Sequence, residues 1–553
     1  MFSFVSRFSG KILPVVVLGL GIAGAAHGQA ANVYVTQSGS STGNCTGSPL
    51  LSAAQFNNAA NWGTGSSQIG PGTTVHLCGT FTGSAGSTML AVKANGTSGH
   101  PITIRFESGA ALKAPYWSGS GGAINAGGRS YIVVDGGSNG LIENTLNGSP
   151  GASCPGGSCS NQQSSKGIYA DPCVSCEFKN LTIADIYVHK PCEGSSGCDT
   201  TLNAFTNAEG ILFSGNNVSI HNLTIHDAGG AIVSHFQNGQ TGTTIYGNDI
   251  YNIDHGLFVG PCKGCTYGTL SIHDNHIHDS VNWDSGSADW YHHDGIHFWD
   301  SGSPYGTTHE LDIYNNLFDG NEGQCCITAW IFLQGAAAVN NIYNNVIVPT
   351  GPKVSNGGLS MRTDAAGSEF NIYNNTFIST QGSGGTTPAV TYLDAYGGSA
   401  IVSVKNNAFA GFNTYIALPS TDVRTLTASN NAYASESGGG NPYWVWNSIK
   451  AKTLSAWQSA CGCDSEAVGD LSGSLGIVGE GVPSTSFIGS GKGANLMNIA
   501  SGTLLALSSD TSAGATRTPS SREAGTLPWD IGAYLANSTN RPSAPTGLTA
   551  SVQ

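Results

Sequence analysis

Apolar and polar residues alternate in short runs along the middle of the chain, and each run ends at an asparagine-containing corner. One or two further apolar residues follow each corner. The instances are Val218–Ile225, Ile245–Ile250, Leu270–Ile277, Leu311–Phe318, Ile342–Ile347, Phe370–Phe377 and Val402–Phe409, with a weaker one at Leu426–Tyr433. Alternation with a period of two is typical of a β-strand, because successive strand side chains point to opposite faces. The pattern therefore predicts many short strands and no long helices.

The corner asparagines recur in steps of 26, 27, 41, 29, 30, 32 and 24 residues. Periods of this size are typical of solenoids, in which each repeat is one coil stacked on its neighbours, and the long step indicates an inserted loop. Asparagine suits a corner because it tolerates a left-handed backbone and its amide bonds turn carbonyls. We therefore predict an all-β, single-stranded right-handed parallel β-helix with an N-terminal cap, loop insertions and a ladder of stacked asparagines. A β-propeller is the alternative fold, but its blades need four strands over a longer period.

The repeats run from about Pro101 to Tyr433, and they resemble the pectate-lyase-like superfamily of right-handed β-helix proteins. Ile253-Asp254-His255 is similar to the Trp-Ile-Asp-His element of pectate lyases, with Asn252 in place of the tryptophan. The arginine-bearing motifs of those lyases have no match, and neither does the polygalacturonase set of Asn-Thr-Asp, Asp-Asp, Gly-His-Gly and Arg-x-Lys. The resemblance thus implies the fold and a carbohydrate-active class of protein, without supplying a mechanism.

The predicted organisation has five parts. These are a signal peptide at 1–28, an N-terminal cap with the first coils at 29–100, the β-helix at 101–435, closing coils at 436–535 and a Pro/Ser/Thr-rich tail at 536–553. Arg7 and Lys11 supply the positive start, an apolar run follows at Ile12–Ala25, and a small-x-small cleavage site follows at Ala26–Gly28. A membrane anchor is the alternative, but the run is shorter than the ~20 residues that a membrane span needs. We therefore expect an extracellular or periplasmic protein without membrane contact after signal removal.

Composition and charge limit the classes of partner that the protein can bind. The chain has 78 glycines in 553 residues, and its 39% hydrophobic and 10% charged content argues against disorder. A net charge of −14 argues against a nucleic-acid partner, because an acidic surface repels phosphates. We expect a monomer that binds a polysaccharide.

The cysteines suggest an oxidising compartment. Their number is even, at 14, which in an exported chain predicts disulfides. Zinc binding by the two C-x-x-C pairs is the alternative, but these pairs are far apart and lack a matching histidine pattern. Five pairs of cysteines are close in sequence, which predicts local disulfides that we call local staples. They are Cys154 and Cys159, Cys173 and Cys176, Cys192 and Cys198, Cys262 and Cys265, and Cys461 and Cys463.

A second strand recurs once per coil, usually after a glycine, as in Gly210–Ser214, Gly230–Ser234, Gly256–Gly260 and Gly295–Trp299. If these strands stack in register, one alternate set of residues is apolar and fills the core. That set is Ile211, Phe213, Val233, Leu257, Val259, Ile296, Phe298, Leu359 and Met361. The other set points outward and includes Ser234, His297, Trp299, Ser360 and Arg362.

The residues that precede these glycines are Glu209, Gly229, His255 and Asp294. Since adjacent rungs lie about 4.8 Å apart, His255 and Asp294 are expected to be neighbours, with Glu209 two rungs from His255. A carboxylate beside an imidazole suits proton transfer.

The densest chemistry lies in 283–300, where aromatic rings that stack on sugars are mixed with acids and imidazoles. We predict catalytic roles for Asp294, His255, His297, Glu322, Arg362 and Asp364. We predict substrate contacts for Trp299, Trp290, Tyr291, His293, Asp300 and Glu209. Histidine and aspartate are also ordinary metal ligands, so a metal site at 292–297 is an alternative. If the protein has a cofactor, we expect a calcium ion. Histidines at the repeat corners are expected to be polar surface, namely His221, His226, His273, His276 and His278.

Two reactions and one binding function fit these residues. A glycosidase needs two carboxylates, which Asp294 can form with Glu322, Asp300 or Asp364. A lyase needs a base and a cation at a uronate, for which His255 or His297, Arg362 and Tyr291 are available. The small number of Lys and Arg residues, 20 in all, favours a hydrolase over a lyase. A non-catalytic glycan-binding adhesin is the alternative, and the concentrated acid–base cluster favours an enzyme.

Overall fold

Parallel strands make up most of the part of the chain that can be described. The computed structural model describes residues 30–42, 45–146, 161, 163–187, 207–235, 237–260, 266–280, 293–299, 307–321, 329–349, 357–363, 366–379, 388–393, 398–435, 443–470, 473–479, 481–499, 522 and 529–535. Within these residues 34 strands join into one hydrogen-bonded system. Nearly all of the pairs in it are parallel, and each strand pairs with the equivalent strand of the next coil.

Three stacked sheets form the walls of the solenoid. The first sheet contains Asn32–Thr36, Thr74–Leu77, Ile102–Phe106, the starts of Ile132–Asn144 and Glu177–Ala184, then Ser219–His221, Thr243–Tyr246, Thr266–His273, Thr307–Tyr314, Ala336–Tyr343, Ala366–Tyr373, Ser399–Lys405 and Val423–Ser429. The second sheet contains Thr80–Thr82, Ala111–Ala114, the ends of Ile132–Asn144 and Glu177–Ala184, the starts of Thr224–His235 and Asp249–Gly260, then His276–His278, Leu317–Gly320, Val346–Pro349, Thr376–Ile378, Ala408–Ala410, Ala432–Ala434 and Val468–Asp470.

The third sheet carries the glycine-preceded strands. It contains Ser165–Ala170, Ala208–Phe213, the ends of Thr224–His235 and Asp249–Gly260, then Asp294–Trp299, Ala329–Gln334, Gly357–Arg362, Val390–Tyr392, Thr414–Leu418 and Tyr443–Trp446. Each coil runs through the first, second and third sheets in turn. The predicted all-β parallel β-helix is confirmed, and the propeller is excluded.

Smaller elements lie around the stack. Leu50–Ser52 pairs with the first strand, and short two-stranded pairs join Leu90–Ala91 with Ile124–Asn125, Arg129–Ser130 with Cys173–Val174, and Ile477–Val478 with Val482–Pro483. Helices are short: Ala53–Phe56, the 3₁₀ turn Ala59–Asn61 and Leu454–Cys461. At the far end of the third sheet, Ile449–Ala451 pairs antiparallel with Tyr443–Trp446. No helix in the described ranges is long and apolar enough to cross a bilayer.

Each corner between the first and second sheets uses two residues with different roles. The first has a left-handed backbone, with φ of 55° at Asp274, 55° at Asn315 and 52° at Asn374. The second is a buried asparagine that enters the ladder. The predicted left-handed corner and the predicted ladder are therefore both present, but on adjacent residues.

The ladder runs along seven coils. Each side-chain amide donates to the Oδ1 of the next, over 2.8 to 3.2 Å, through Asn248, Asn275, Asn316, Asn345, Asn375, Asn407 and Asn431. Asn431 donates in turn to the carboxylate of Asp464, over 3.0 Å. Because each amide also donates to a backbone carbonyl, these buried polar groups are satisfied.

The first corner of the series differs from the expectation. Asn222 has a φ of 53°, so it takes the left-handed position, and Leu223 occupies the place of the ladder asparagine. The ladder therefore starts at Asn248. The equivalent residue of the preceding coil is Leu223, 25 residues earlier. The sequence analysis assigned Asn222 to the ladder position, which is one residue before the position that the structure shows.

One of the predicted core strands is also shifted by a residue. Glu209 pairs with Gly230, and Leu212 pairs with Val233, so Ser234 faces the core and Val233 faces the outer side. The prediction that Val233 is inside and Ser234 outside was wrong. It aligned Gly230 with Gly210, whereas Ala231 occupies the position equivalent to Gly210. A slip of one residue reverses every face of a strand. The remaining predicted core residues are buried in the main core.

Three disulfides lie in the described part of the chain. Cys173–Cys176 and Cys461–Cys463 confirm two of the predicted local staples. Cys45–Cys78 joins two residues 33 positions apart, a pairing that the spacing did not indicate. The other close pairs, the adjacent Cys325 and Cys326, the signal peptide and the tail all lie outside the described residues.

A buried carboxylate on the first sheet makes a pH-dependent stability testable. Burial, helped by the charge of Glu310, raises the pKa of Asp312 to about 7, although a hydrogen bond from Asn341 lowers it. A raised acid pKa gives stability that is present below the unfolded-state pKa and is lost as the pH rises towards the folded-state value. We expect Asp312→Asn to raise the free energy of unfolding by about 2–4 kcal/mol more at pH 8 than at pH 4.5. Urea unfolding at both pH values measures the gain, with Asp422→Asn as the control, and an equal gain at both would contradict the prediction.

Candidate active site

A column of polar residues crosses the third sheet at the position before the recurring glycines. Lys166 pairs with Glu209, Glu209 with Gly230, Gly230 with His255, and His255 with Asp294. His255 and Asp294 are therefore neighbours, as expected, and Glu209 lies two rungs from His255. The intervening residue is Gly230, where the sequence placed Gly229, because of the register shift in that coil.

Three side chains meet at this column in a buried triangle, which we call the trio: His255, Asp294 and His297. The Oδ2 atom of Asp294 lies 3.5 Å from Nε2 of His255 and 3.3 Å from Nδ1 of His297. The two imidazole nitrogens are 3.4 Å apart. All three side chains are almost completely buried. A carboxylate is thus shared between two imidazoles.

A second carboxylate contacts His255 on the side of the ring away from Asp294. Asp254 contacts Nδ1 of His255 over 3.1 Å and Nδ1 of His293 over 3.0 Å. Burial alone would raise the pKa of Asp254, but the charge of His255 and hydrogen bonds from His255 and His293 hold it well below its usual value. Burial alone would lower the pKa of His255, but the charge and hydrogen bond of Asp254, with Asp294, raise it to about 9. The two carboxylates therefore favour the protonated form of His255.

The other end of Asp294 is fixed by the backbone of the next coil. Its Oδ1 atom accepts a hydrogen bond of 3.0 Å from the N–H of Ala329. The strand approaches its neighbour closely here, since a Cβ at Gly295 would lie 2.7 Å from the carbonyl oxygen of Trp330. Glycine at 295 thus lets the coils pack tightly where the carboxylate is held.

Aromatic rings and one cation lie on the outer side of the trio. His297 stacks on Phe332 with ring centroids 4.7 Å apart, and Phe258 meets it edge-on at 5.4 Å. The guanidinium carbon of Arg362 lies 5.2 Å from the centre of the Phe332 ring. Trp299 is 38% exposed and lies 6.0 Å from Phe258. This edge of the trio therefore offers a planar aromatic surface next to a positive charge.

A separate ion pair occupies the earlier coils of the column. Lys166 and Glu209 are both buried, with Nζ and Oε2 2.8 Å apart. Burial raises the pKa of Glu209, although the charge of Lys166 lowers it. Lys166 was not predicted, but Lys166-Gly167-Ile168 has the same form as Glu209-Gly210-Ile211, so the repeat does identify it. Asp254 was named only within the element that resembles pectate lyases, and the structure shows that it contacts both His255 and His293.

The structure groups some of the predicted residues and not others. It brings together His255, His293, Asp294 and His297, with Trp299 and Arg362 on adjoining positions. Glu209 is paired with Lys166 instead. Trp290, Tyr291, Asp300, Glu322 and Asp364 lie outside the described residues, so their roles stay predictions.

The trio can transfer protons or hold a cation. Imidazoles flanking a carboxylate form a proton-transfer path, and an ordering carboxylate behind one imidazole fixes its orientation. The three facing atoms also lie within 4.8 Å of one another, close enough for one ion. Two nitrogens and one oxygen suit a transition metal better than calcium, which prefers oxygen ligands.

The strand stack described above fits a pectate-lyase-like β-helix. No protein-family model matches the chain, and no curated protein matches it. Among solved structures, the chain is similar to the PL6 family alginate lyase AlyGC, with 9% sequence identity, covering 73% of this chain and 78% of that one, at a TM-score of 0.19. A similarity of this size carries no argument about substrate or mechanism, so the fold rests on the strand pairing.

Proposed function

We propose that the protein is a secreted enzyme that cleaves glycosidic bonds of a polysaccharide on the outer surface of the third sheet. The observation that carries the proposal is the trio, in which Asp294 lies between the imidazoles of His255 and His297. The exposed ring of Trp299 adjoins it and offers a plane for a sugar. Export is supported by the N-terminal signal pattern and by the disulfides.

In the proposed mechanism the trio moves the proton that cleavage requires. Asp254 orients His255, and Asp294 stabilises positive charge on either imidazole. His297 is the member in register with Phe332 and nearest along its strand to Trp299, so it is the one that exchanges a proton with the sugar. Because His297 is buried, the surface above it has to open before a sugar reaches the ring.

Hydrolysis is the first candidate reaction. The acidic chain, with a net charge of −14, is unfavourable for a polyuronate and favours a neutral glycan. Asp294 would act as one member of a carboxyl pair, with its partner among the predicted Asp300, Glu322 and Asp364.

Elimination from a uronate is the second candidate, and one observation favours it. The Arg362 guanidinium lies against the ring of Phe332, which stacks on His297. The carboxylates beside His255 favour its protonated form, and a lyase needs such positive charge to stabilise the enolate of the sugar carboxylate. In that case His297 would remove the C5 proton.

The decisive experiment incubates the purified mature protein with a panel of neutral and uronate polysaccharides. Reducing ends and the absorbance of unsaturated uronates are followed together, with added calcium and with chelator. New reducing ends alone would identify a hydrolase, and both signals together a lyase. Absence of both signals across the panel, with unchanged glycan binding in a His297→Ala variant, would exclude the catalytic proposal.

Trp299 gives a prediction for substrate binding. We expect Trp299→Ala to raise KM roughly ten-fold while kcat changes little, because loss of a stacking surface removes about 1–1.5 kcal/mol of binding. The ring is partly exposed, so its removal should leave the fold intact. Steady-state kinetics on the best substrate of the panel measure the effect. Tyr443→Ala, an aromatic substitution farther along the same sheet, is the control, and an equal KM change in both variants would contradict the prediction.

A further inference from the structure

A second group of histidines and aspartates lies on the outer face of the second sheet. On the strand His276–His278, the central Ile277 is buried in the core, so His276 and His278 point outward together. Their rings stack with centroids 4.1 Å apart. Asp249 precedes them by one coil in the same sheet and pairs with His276.

Asp249 is aimed at both rings. Its Oδ1 atom lies 3.4 Å from Nδ1 of His276 and 3.2 Å from Nε2 of His278. All three of these atoms lie within 4.8 Å of one another. Two ligands of a tetrahedral ion, each about 2.1 Å from it, are themselves about 3.4 Å apart. The two distances from Asp249 are therefore close to the ligand–ligand distance in a tetrahedral site.

The outward nitrogens of both rings are held by further carboxylates. Nε2 of His276 contacts Oδ1 of Asp319 over 2.8 Å, and Nδ1 of His278 contacts Oδ2 of Asp279 over 2.9 Å. A neutral imidazole donates its one N–H to such a carboxylate, which turns the lone pair of the other nitrogen towards Asp249. Carboxylates behind metal-binding histidines fix the ring tautomer in this way.

We propose that Asp249, His276 and His278 bind a divalent transition-metal ion of the Zn²⁺ or Co²⁺ class. When both imidazoles are neutral, their two lone pairs and the Asp249 carboxylate face one another, and two further carboxylates lie behind the rings. A cation at the centre removes the repulsion between these donors. The nitrogen-rich donor set excludes calcium as the preferred ion. The side chain of Asp249 is 49% exposed, so the ion can enter from solvent and keeps an open coordination position.

The site is independent of the proposed catalytic trio. Its residues lie on the second sheet, whereas the trio lies on the third, and the ion would join Asp249 of one coil to the histidines of the next. Failure of every cleavage assay would leave the metal proposal unaffected.

Cobalt titration of the metal-depleted mature protein tests the site. Because the ion competes with protons for the imidazoles, the titration is done at about pH 8 rather than in acid. We expect one Co²⁺ per chain with the visible absorption of a low-coordinate ion, displaced by Zn²⁺. His276→Gln and His278→Gln should each abolish this spectrum, and Asp319→Asn should weaken binding about 10–100-fold. The controls are His221→Gln, another carboxylate-bonded histidine, and His297→Gln in the trio, and both should bind normally.

Two results would overturn the proposal. One is the absence of the cobalt spectrum in the wild-type protein while its circular dichroism is that of an intact β-helix. The other is retention of the spectrum in His276→Gln and His278→Gln with loss in His297→Gln, which would place the ion at the trio. Thermal unfolding with and without Zn²⁺ checks folding, since a bound ion should raise the Tm of the wild-type protein and leave that of His278→Gln unchanged.

Discussion

Asp294→Asn is expected to lower kcat by about 10²–10⁴-fold with little change in KM, as loss of a carboxylate that stabilises a catalytic imidazolium does. Asparagine keeps the hydrogen bond that Oδ1 accepts from Ala329 and keeps the side-chain volume. It removes the negative charge that lies between His255 and His297. Positive charge on His297 during proton transfer then loses its stabilisation, so the effect should fall on the chemical step.

The kinetic parameters are measured on the best substrate that the polysaccharide panel gives. Asp274→Asn is a matched control, because Asp274 also contacts a histidine, over 2.7 Å, but at a corner remote from the third sheet. It should leave kcat unchanged. A wild-type kcat in Asp294→Asn would show that the trio is a structural polar group and would remove the basis for the proposed function.

The largest stability effect is expected at the asparagine ladder. Asn316 accepts hydrogen bonds from both the backbone and side-chain nitrogens of Asn275, and it donates to Ile272 and Asn345. Asn316→Ala leaves several of these buried groups without a partner, at about 1–3 kcal/mol each, so we expect a loss of about 3–5 kcal/mol. Urea unfolding followed by circular dichroism measures the loss.

The neighbouring Asn315 provides the control. It has a φ of 55° and takes no part in the ladder, so Asn315→Gly should change the free energy of unfolding by less than about 1 kcal/mol. Similar losses in Asn315→Gly and Asn316→Ala would mean that the left-handed turn, and not the ladder, stabilises the corner.

The fold could be predicted in detail because its determinants are local and repeated. Alternation identified the strands of the first sheet, and the asparagine spacing identified the coil. The register at Gly230 could not be predicted, because Gly229 and Gly230 are adjacent and the sequence offers two alignments. The pairing of Leu212 with Val233 decides between them, and that pairing is a contact between coils.

The candidate site was predicted in part for a related reason. His255 and Asp294 precede equivalent glycines, so the repeat itself places them side by side. The approach of His297 to Asp294 could not be predicted, because strict alternation places residues three apart on opposite faces of a strand. The same limit applies to His276 and His278, which were expected to be polar surface. Two of their carboxylate partners, Asp249 and Asp319, come from the preceding and following coils, at positions that share no sequence motif.

The last coils also determine what this molecule does in concentrated solution. A stack of parallel strands ends in unpaired N–H and C=O groups that can template a further chain. Here the third sheet ends in the antiparallel turn from Tyr443–Trp446 to Ile449–Ala451, and Trp457 of the following helix stacks on Trp444. In the described residues, the last parallel strand of the third sheet is therefore already paired on its outer edge, which disfavours head-to-tail addition of a second molecule to that strand.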